Sequence, residues 1–184
     1  MKVWHKLEKG GIMKFLEKLH VFDVEITKIM VDSWKNGRVK IDRVTHQVNV
    51  ELIAQVTKIP LEGINFFRDK KMLGNIAKYF VRDEDERKKL MKAEKYYEME
   101  SIKKIWRYVL RVIIEYISLD SSFDRIRMHH FILLNNFRHG IKISFPFYLF
   151  TFMSKGIEGF KKKPTTNPSL HKGLLLLVYE YLKT

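Results

Sequence analysis

Apolar residues recur every three or four positions along most of this chain, which is the spacing of one face of an α-helix. The first such run begins at Ile12 and ends at Trp34, where Asn36-Gly37 stops it, because glycine just past the last periodic residue is a common helix end. Similar runs occupy residues 50–59, 66–80, 102–117, 123–137, 145–153 and 174–182. Pro60 is expected to break the first of these runs, Ser101 to cap the run from residue 102, and Gly140 to end the helix expected from about residue 122. The pattern predicts a mainly α fold, a single compact domain of six to eight helices.

One short stretch has a different period. Residues 38–41 alternate polar and apolar, residues 42–43 are a polar break, and residues 44–48 are again rich in β-branched side chains. Alternation with period two is typical of strands, so the sequence predicts one small β-hairpin near residues 38–48. The fold is then α+β by a small margin. Asn49 follows the hairpin and is placed to cap the next helix.

The chain of 184 residues, 46% of them hydrophobic, has enough apolar surface for one core of ordinary size. We therefore expect one domain over residues 1–184. Residues 82–100 are the charge-dense stretch of the sequence, with both signs mixed and few large apolar positions. They predict an exposed helix or a flexible connection within that domain, and any internal seam is expected there.

Several classes of protein are disfavoured by composition. The sequence has no cysteine, which excludes disulfides and thiolate zinc sites and is typical of a reducing compartment. The first residues lack the apolar core of a signal peptide, and no apolar run approaches the roughly 20 residues that span a bilayer. We expect a protein of the nucleus or cytoplasm with no membrane partner.

The residues that most often carry catalysis or bind metals do not form a recognisable constellation. His129 and His130 are adjacent, and neighbouring side chains on a helix point about 100° apart, so the two do not share a metal ion. Glu115 and Asp120 are spaced so that a helix scatters them. No phosphate-binding glycine loop or nucleophile motif is present. The sequence predicts no catalytic residue, no metal, no cofactor and no enzymatic activity.

Charge is the extreme property of the sequence. The net charge is +14, and residues 121–184 supply half of the excess, with 10 basic and three acidic side chains. Such a region attracts nucleic-acid phosphates, and aromatic side chains between the basic ones can stack on bases. The predicted nucleic-acid-binding residues are Arg125, Arg127, Arg138, Lys142, Lys155, Lys161, Lys162, Lys163 and Lys172. In the alternative interpretation the aromatics are core residues and residues 161–163 form a solubilising loop.

Four blocks of sequence resemble a known family. They are residues 43–60 with Glu62-Gly63 and residues 66–68, residues 105–107 with 115–117, residues 129–131 leading to 145–149, and residues 170–175. These blocks are similar to plant proteins described as transposon- or retrotransposon-derived, over roughly residues 22–183. The resemblance implies a mobile-element origin and a domain without assigned biochemistry. It supplies no catalytic residue to carry over, because neither a carboxylate triad nor a Cys/His knuckle has a counterpart here.

These observations lead to a first hypothesis and two alternatives. The first is a non-enzymatic binding or assembly domain of a mobile-element-derived protein, which contacts DNA or RNA through phosphate charge. The second is a capsid-like or adaptor module whose partner is another protein or a second copy of this chain. The third, an enzyme of transposition, lacks the motif that it needs.

Overall fold

The computed structural model describes residues 12–17, 19, 23–65, 76, 79–85, 88, 97–117, 125–162 and 173–184. In these residues the fold is mainly α with one small hairpin, as predicted. The chain divides into two compact units, one of residues Met1–Glu62 with Ser144–Thr184 and the other of residues Gly63–Ile143. Each unit is described by itself. The prediction of one domain over residues 1–184 stays a prediction.

The first unit contains five helices and the hairpin among its described residues. They are α1 (Ile12–Leu16), α2 (Val24–Ser33), β1 (Arg38–Ile41), β2 (Val44–Gln47), α3 (Val50–Thr57), α6 (Phe145–Lys162) and α7 (Leu174–Lys183). Strand β1 and helix α7 both pack against α2, while α6 and α7 pack against α3. The core is therefore built by helices from both ends of the chain around the hairpin.

The predicted continuous helical face from Ile12 to Trp34 is wrong, because the chain forms two helices there. Asp23 has an extended backbone, and its Oδ1 accepts a hydrogen bond of 2.9 Å from the N–H of Ile26, which makes it the N-cap of α2. An aspartate at this position satisfies one of the unpaired N–H groups at a helix start. Ile29 lies in the predicted apolar run but is 43% exposed, because α2 is a separate helix with its own buried face.

The hairpin has the predicted position and a turn of two residues. Its strands pair antiparallel, with Arg38 opposite Gln47 and Ile41 opposite Val44. Asp42 and Arg43 close the turn with φ of 47° and 71°, the left-handed backbone that a tight hairpin turn requires. Glycine adopts this backbone most easily, but the core contact of β1 holds the register of the strands without it.

Helix α3 confirms the predicted cap. The Oδ1 atom of Asn49 accepts a hydrogen bond of 2.9 Å from the N–H of Leu52. The predicted apolar stripe of this helix is buried, at Leu52, Ile53, Val56 and Ile59. The helix ends before the predicted break at Pro60, because Lys58 takes a left-handed backbone with φ of 60°.

The second unit contains two longer helices, α4 (Lys104–Val112) and α5 (Met128–His139). A π-helical turn, Ile113–Ile117, continues α4 and packs with it against α5. Two short strands, β3 (Tyr97–Glu98) and β4 (Arg125–Ile126), pair antiparallel. An aromatic cluster forms the core, in which the Phe80 ring lies 5.1 Å from that of Trp106 and the Phe131 ring 5.7 Å from that of Tyr97.

Two predicted helix starts in this unit are corrected by strand pairing. The helix expected to begin at Ser101 begins at Lys104, because Ser101 lies in a 3-10 turn and Ile102 bridges Val81. Ile105, predicted as a core position, is 70% exposed. The helix expected from about residue 122 begins at Met128, after β4, and it ends as predicted at Gly140, where φ is 70°.

Two predicted segments fall largely outside the described residues. Of the helix predicted over residues 66–80, Ile76, Tyr79 and Phe80 are described. Ile76 and Phe80 are buried as expected, whereas Tyr79, on the same predicted apolar face, is 38% exposed. Of the charged stretch 82–100, Tyr97–Glu98 forms β3 and residue 99 begins the 3-10 turn. The prediction of an exposed helix or connection stays a prediction for the rest of that stretch.

The left-handed residue at the end of α3 offers a test of the fold. An L-residue in this backbone costs on the order of 1 kcal/mol, which glycine avoids at the cost of some flexibility in the unfolded chain. We expect Lys58→Gly to raise the free energy of unfolding by about 0.5 kcal/mol in urea denaturation. Lys58→Ala removes the same charge and keeps the strained backbone, so a gain of equal size in that variant would contradict the explanation.

Candidate functional site

The nine predicted phosphate-binding residues are divided between the two units. Those of the second unit are Arg125, Arg127, Arg138 and Lys142. Those of the first unit are Lys155, Lys161 and Lys162, whereas Lys163 and Lys172 lie outside the described residues. The structure thus describes two groups of basic residues in separate units.

In the second unit, the side chain of Arg138 contacts two other side chains. The guanidinium carbon of Arg138 lies 3.6 Å from the centre of the Tyr79 ring, a cation–π contact. Its Nη1 lies 3.4 Å from Nε2 of His139. Arg127 is exposed and is the N-cap residue of helix α5. Arg138 therefore contributes to the packing of this unit besides its charge.

In the first unit, Lys161 connects two helix ends. Its ammonium donates hydrogen bonds of 2.6 Å to the carbonyl of Trp34 and of 3.3 Å to the carbonyl of Asp32. These carbonyls lie at the end of α2, where the helix dipole is negative and the last C=O groups lack partners within the helix. Lys161 thus has a structural role, and α6 ends beside the start of the hairpin.

The aromatic residues of the basic region pack in the core, which favours the alternative interpretation made for them. Phe131, Phe137, Phe145 and Tyr148 are all buried, and Phe152 is half-buried. Burial raises the pKa of Tyr148 to about 12, since the charged phenolate is disfavoured away from water. These rings are placed for packing instead of base stacking.

A different basic site lies on the outer face of the hairpin. A cleft of about 720 Å³ is formed there by the end of α2, the turn that follows it and both strands. We name it the hairpin cleft. Its lining residues are mostly polar, namely Ser33, Lys35, Asn36, Arg38, Val39, Lys40, Thr45 and Gln47.

Strand geometry explains why basic residues meet in this cleft. Val39 and Ile41 are buried at 1% and 3% exposure, so Arg38 and Lys40 on the same strand lie on the outer face. Their partners across the hairpin are Gln47 and Thr45. Lys35 joins them because its backbone pairs with Arg38 through hydrogen bonds of 2.8 and 3.0 Å.

The cleft carries positive charge, and none of the lining residues that the structure describes is acidic. Asp42, at the tip of the hairpin, is outside the lining and lies 3.9 Å from the ammonium of Lys183. Within the described part of the chain, the ammonium groups of Lys35 and Lys40 have no hydrogen bond or ion pair. Three cations that face one cleft without a counter-charge attract anions, and a phosphate ester is a common partner for such an arrangement.

Gln47 holds the arginine of this cleft in place. The Nε of Arg38 donates to Oε1 of Gln47 at 3.2 Å, while Nε2 of Gln47 donates to the carbonyl of Gly37 at 3.1 Å. The side-chain amide is thereby fixed on the backbone and orients the guanidinium. An oriented guanidinium loses less conformational entropy when it binds a phosphate.

The hairpin cleft was not among the predicted sites, although part of its signal is in the sequence. The alternation of residues 38–41 predicts a strand and places Arg38 and Lys40 on one face. The net charge of residues 1–60 does not reveal this basic face, because this part of the chain holds 11 basic and seven acidic side chains, which largely cancel. The absence of acids opposite Arg38 and Lys40 depends on the strand register, which the turn type decides.

The histidine pair has a structural explanation. His130 is fully buried, and its Nδ1 accepts a hydrogen bond of 3.0 Å from the backbone N–H of Arg127, at the start of α5. Burial, and then the charges of His129 and Arg127, hold the pKa of His130 well below 6.5. Among the described residues no group of three His, Asp or Glu side chains is arranged to hold a metal ion.

Compared with protein-family models, with curated proteins and with solved structures, the chain matches none of them. None of the helices in the described ranges has the length and apolar character needed to cross a membrane. The chemistry of the hairpin cleft is therefore the basis for a functional proposal.

The contact of Lys161 separates structural from binding lysines at the end of α6. We expect Lys161→Ala to lower the free energy of unfolding by about 1 kcal/mol, because it removes charged hydrogen bonds to the end of α2. Lys162→Ala removes the same charge one residue later and is expected to leave stability unchanged. Urea denaturation of the two variants measures the difference, and equal stability would argue against the capping role.

The neutral state of His130 makes stability depend on pH. Its folded-state pKa lies below the 6.5 of the unfolded chain, so below pH 6.5 the unfolded chain binds a proton that the folded protein does not. The contribution of neutral His130 is complete above pH 6.5 and falls as pH decreases from 6.5 toward the folded-state pKa. The loss is at most about 1.4 kcal/mol per pH unit.

The measurement is urea denaturation between pH 7.5 and 5, chosen to span the titration of a free histidine near 6.5. His130→Asn keeps an acceptor for the N–H of Arg127 and does not titrate, so its stability is expected to vary less with pH. His139→Asn, at an exposed position, serves as the control. A pH slope that His130→Asn leaves intact would show that another group is responsible.

Proposed function

We propose that this chain is a non-enzymatic nucleic-acid-binding domain of a mobile-element-derived protein, which contacts phosphate groups through the hairpin cleft. The observation that carries the proposal is the convergence of Lys35, Arg38 and Lys40 on one concave surface whose described lining residues include no acid. Phosphate contacts of this kind supply affinity through counterion release and do not depend on base sequence.

Two further observations support this proposal. The net charge of +14 creates a long-range attraction for polyanions, which raises the rate of encounter. Lys161 contacts the carbonyl of Trp34, between Ser33 and Lys35 of the cleft lining, so the basic end of α6 lies at the edge of the cleft. Lys162 is exposed there and extends the positive surface, which links the cleft to the basic C-terminal region.

The resemblance of the sequence to transposon- and retrotransposon-derived plant proteins supports the proposed mobile-element origin. Mobile elements are themselves nucleic acids, so sequence-independent phosphate binding suits a domain of such origin. The proposal assigns the cleft a binding role only, because the described part of its lining has no carboxylate or histidine to act as general base.

A second candidate function is favoured by one observation in the other unit. Ile105 and Tyr108 are neighbours on one face of α4 and are 70% and 60% exposed. Large apolar side chains that are exposed together are typical of protein–protein contacts. The adaptor or assembly module is therefore the function that replaces the first if the chain does not bind nucleic acid.

A salt titration of nucleic-acid binding, by fluorescence anisotropy, tests the leading proposal. The variant is Lys35→Gln with Arg38→Gln and Lys40→Gln. Each phosphate contact contributes about 0.7 to 0.9 to the slope of log affinity against log salt, so the variant is expected to reduce that slope by roughly two to three units. Affinity at low salt is expected to fall in parallel.

The matched control removes three charges at exposed lysines that are not among the described lining residues of the cleft, with Lys28→Gln, Lys58→Gln and Lys104→Gln. Both variants keep equal net charge, so general attraction is reduced equally and only the cleft variant is expected to lose slope. Equal losses of slope in the two variants would contradict the assignment of binding to the cleft. Undetectable binding by the unchanged protein at about 50 mM salt would contradict nucleic-acid binding as a whole.

A further inference from the structure

The chemistry of the hairpin cleft also indicates which form of nucleic acid it takes. We propose that it binds the sugar–phosphate backbone of a double-stranded nucleic acid in preference to a single strand. This inference rests on the proposed function and adds the class of ligand. It is derived from what lines the cleft, how its cations are held and which of its polar groups are already engaged.

The described lining of the cleft lacks the surface that single strands need. Proteins that bind single strands combine a basic groove with aromatic side chains on which unpaired bases stack. Among the described residues that line this cleft, all are polar or cationic apart from Val39, and none is aromatic. Bases of a single strand would therefore find no stacking partner there, and the phosphates would be the sole source of affinity.

Two aromatic side chains beside the cleft belong to the packing of the first unit. Trp34, next to the lining residues Ser33 and Lys35, is 3% exposed. The half-buried Phe150 has its Cζ 4.0 Å from the place where a Cβ on Gly37 would lie, so its ring packs against the turn. Neither residue is among the described lining residues of the cleft.

The cations of the cleft extend from a row of fixed backbone positions. Lys35 and Arg38 are joined through their backbones, and Arg38 and Lys40 are two residues apart on one strand, which separates their Cα atoms by roughly 6.6 Å. Regularly spaced backbone positions suit a duplex, whose phosphates are already held in regular positions. The charge density of a duplex, one phosphate per about 1.7 Å of helix axis, also exceeds that of a single strand.

The polar groups of the cleft favour contacts to backbone over contacts to bases. The amide of Gln47, a residue type that reads adenine, is engaged by Arg38 and by the carbonyl of Gly37. The hydroxyl of Ser33 donates to the carbonyl of Ile29 at 2.8 Å, whereas the hydroxyl of Thr45 is suited to a phosphate oxygen. The expected binding is therefore independent of sequence and sensitive to the form of the nucleic acid.

The experiment compares one sequence in three forms, as a single strand, as a DNA duplex and as an RNA duplex, by competition anisotropy with the full chain. We expect at least one duplex to bind about tenfold tighter than the single strands, because its phosphates are denser and ordered. The two duplex arms identify DNA or RNA as the source of the phosphates. The cleft variant with Lys35, Arg38 and Lys40 changed to Gln is expected to lose this preference.

A gain-of-function variant tests the physical reason. Thr45→Tyr adds an aromatic ring to the cleft at an exposed strand position, where tyrosine is well accommodated. Affinity for the single strand is expected to rise several-fold, with duplex affinity little changed. An unchanged single-strand affinity would overturn the argument from missing stacking surface.

The outcomes also separate this inference from the proposed function. Single strands that bind as tightly as both duplexes, through contacts that the cleft variant removes, would overturn the duplex preference and leave the proposed function intact. No binding of any form would overturn both. Tighter binding of either duplex, lost in the cleft variant and kept in the Lys28, Lys58 and Lys104 control, is the supporting result.

Discussion

The burial of Val39 and Ile41 against the core of the first unit is the constraint on which the candidate site depends. Side chains alternate along a strand, so two buried residues force Arg38 and Lys40 outward together. A shift of the register by one residue would exchange these faces and place two cations in the core, at a cost that folding does not tolerate. The apolar contacts of the hairpin therefore determine where its charges lie.

The contacts around the hairpin then give this basic face its shape. The β bridge between Lys35 and Arg38 closes the turn that leads out of α2, and Lys161 ties the end of α6 to the same place. Gln47 fixes the guanidinium of Arg38. A helix end, a turn and two strands thus build one cleft, although its three cations are separated by only five positions of sequence.

Charge has two different uses in this protein. Arg138 lies on Tyr79 and Lys161 caps a helix end, so both of these sequence-predicted binding residues also contribute to packing. Lys35 and Lys40 have no such partner among the described residues and are free to meet a ligand. His130 is a basic residue that carries no charge in the folded protein. Burial keeps it neutral, and its Nδ1 accepts a hydrogen bond at the start of α5.

The sequence alone determined the features that rest on local rules. Apolar periodicity predicted a mainly α fold, alternation predicted the hairpin at its observed place, and Asn49 and Gly140 mark the cap and the end of their helices as expected. Each of these depends on residues within a few positions of one another. Helix starts were less predictable, because pairing between residues 97–98 and 125–126, and the bridge from Val81 to Ile102, replace helical turns with extended chain.

Only the tertiary structure decided which charges are available to a ligand. The ammonium of Lys161 and its carbonyl partner on Trp34 are 127 residues apart in the sequence, and no local pattern relates them. The hairpin cleft likewise depends on strand register and on which faces the helices cover. Hydrogen bonds and burial between distant segments distinguish a structural lysine from a binding lysine, whereas composition counts both alike.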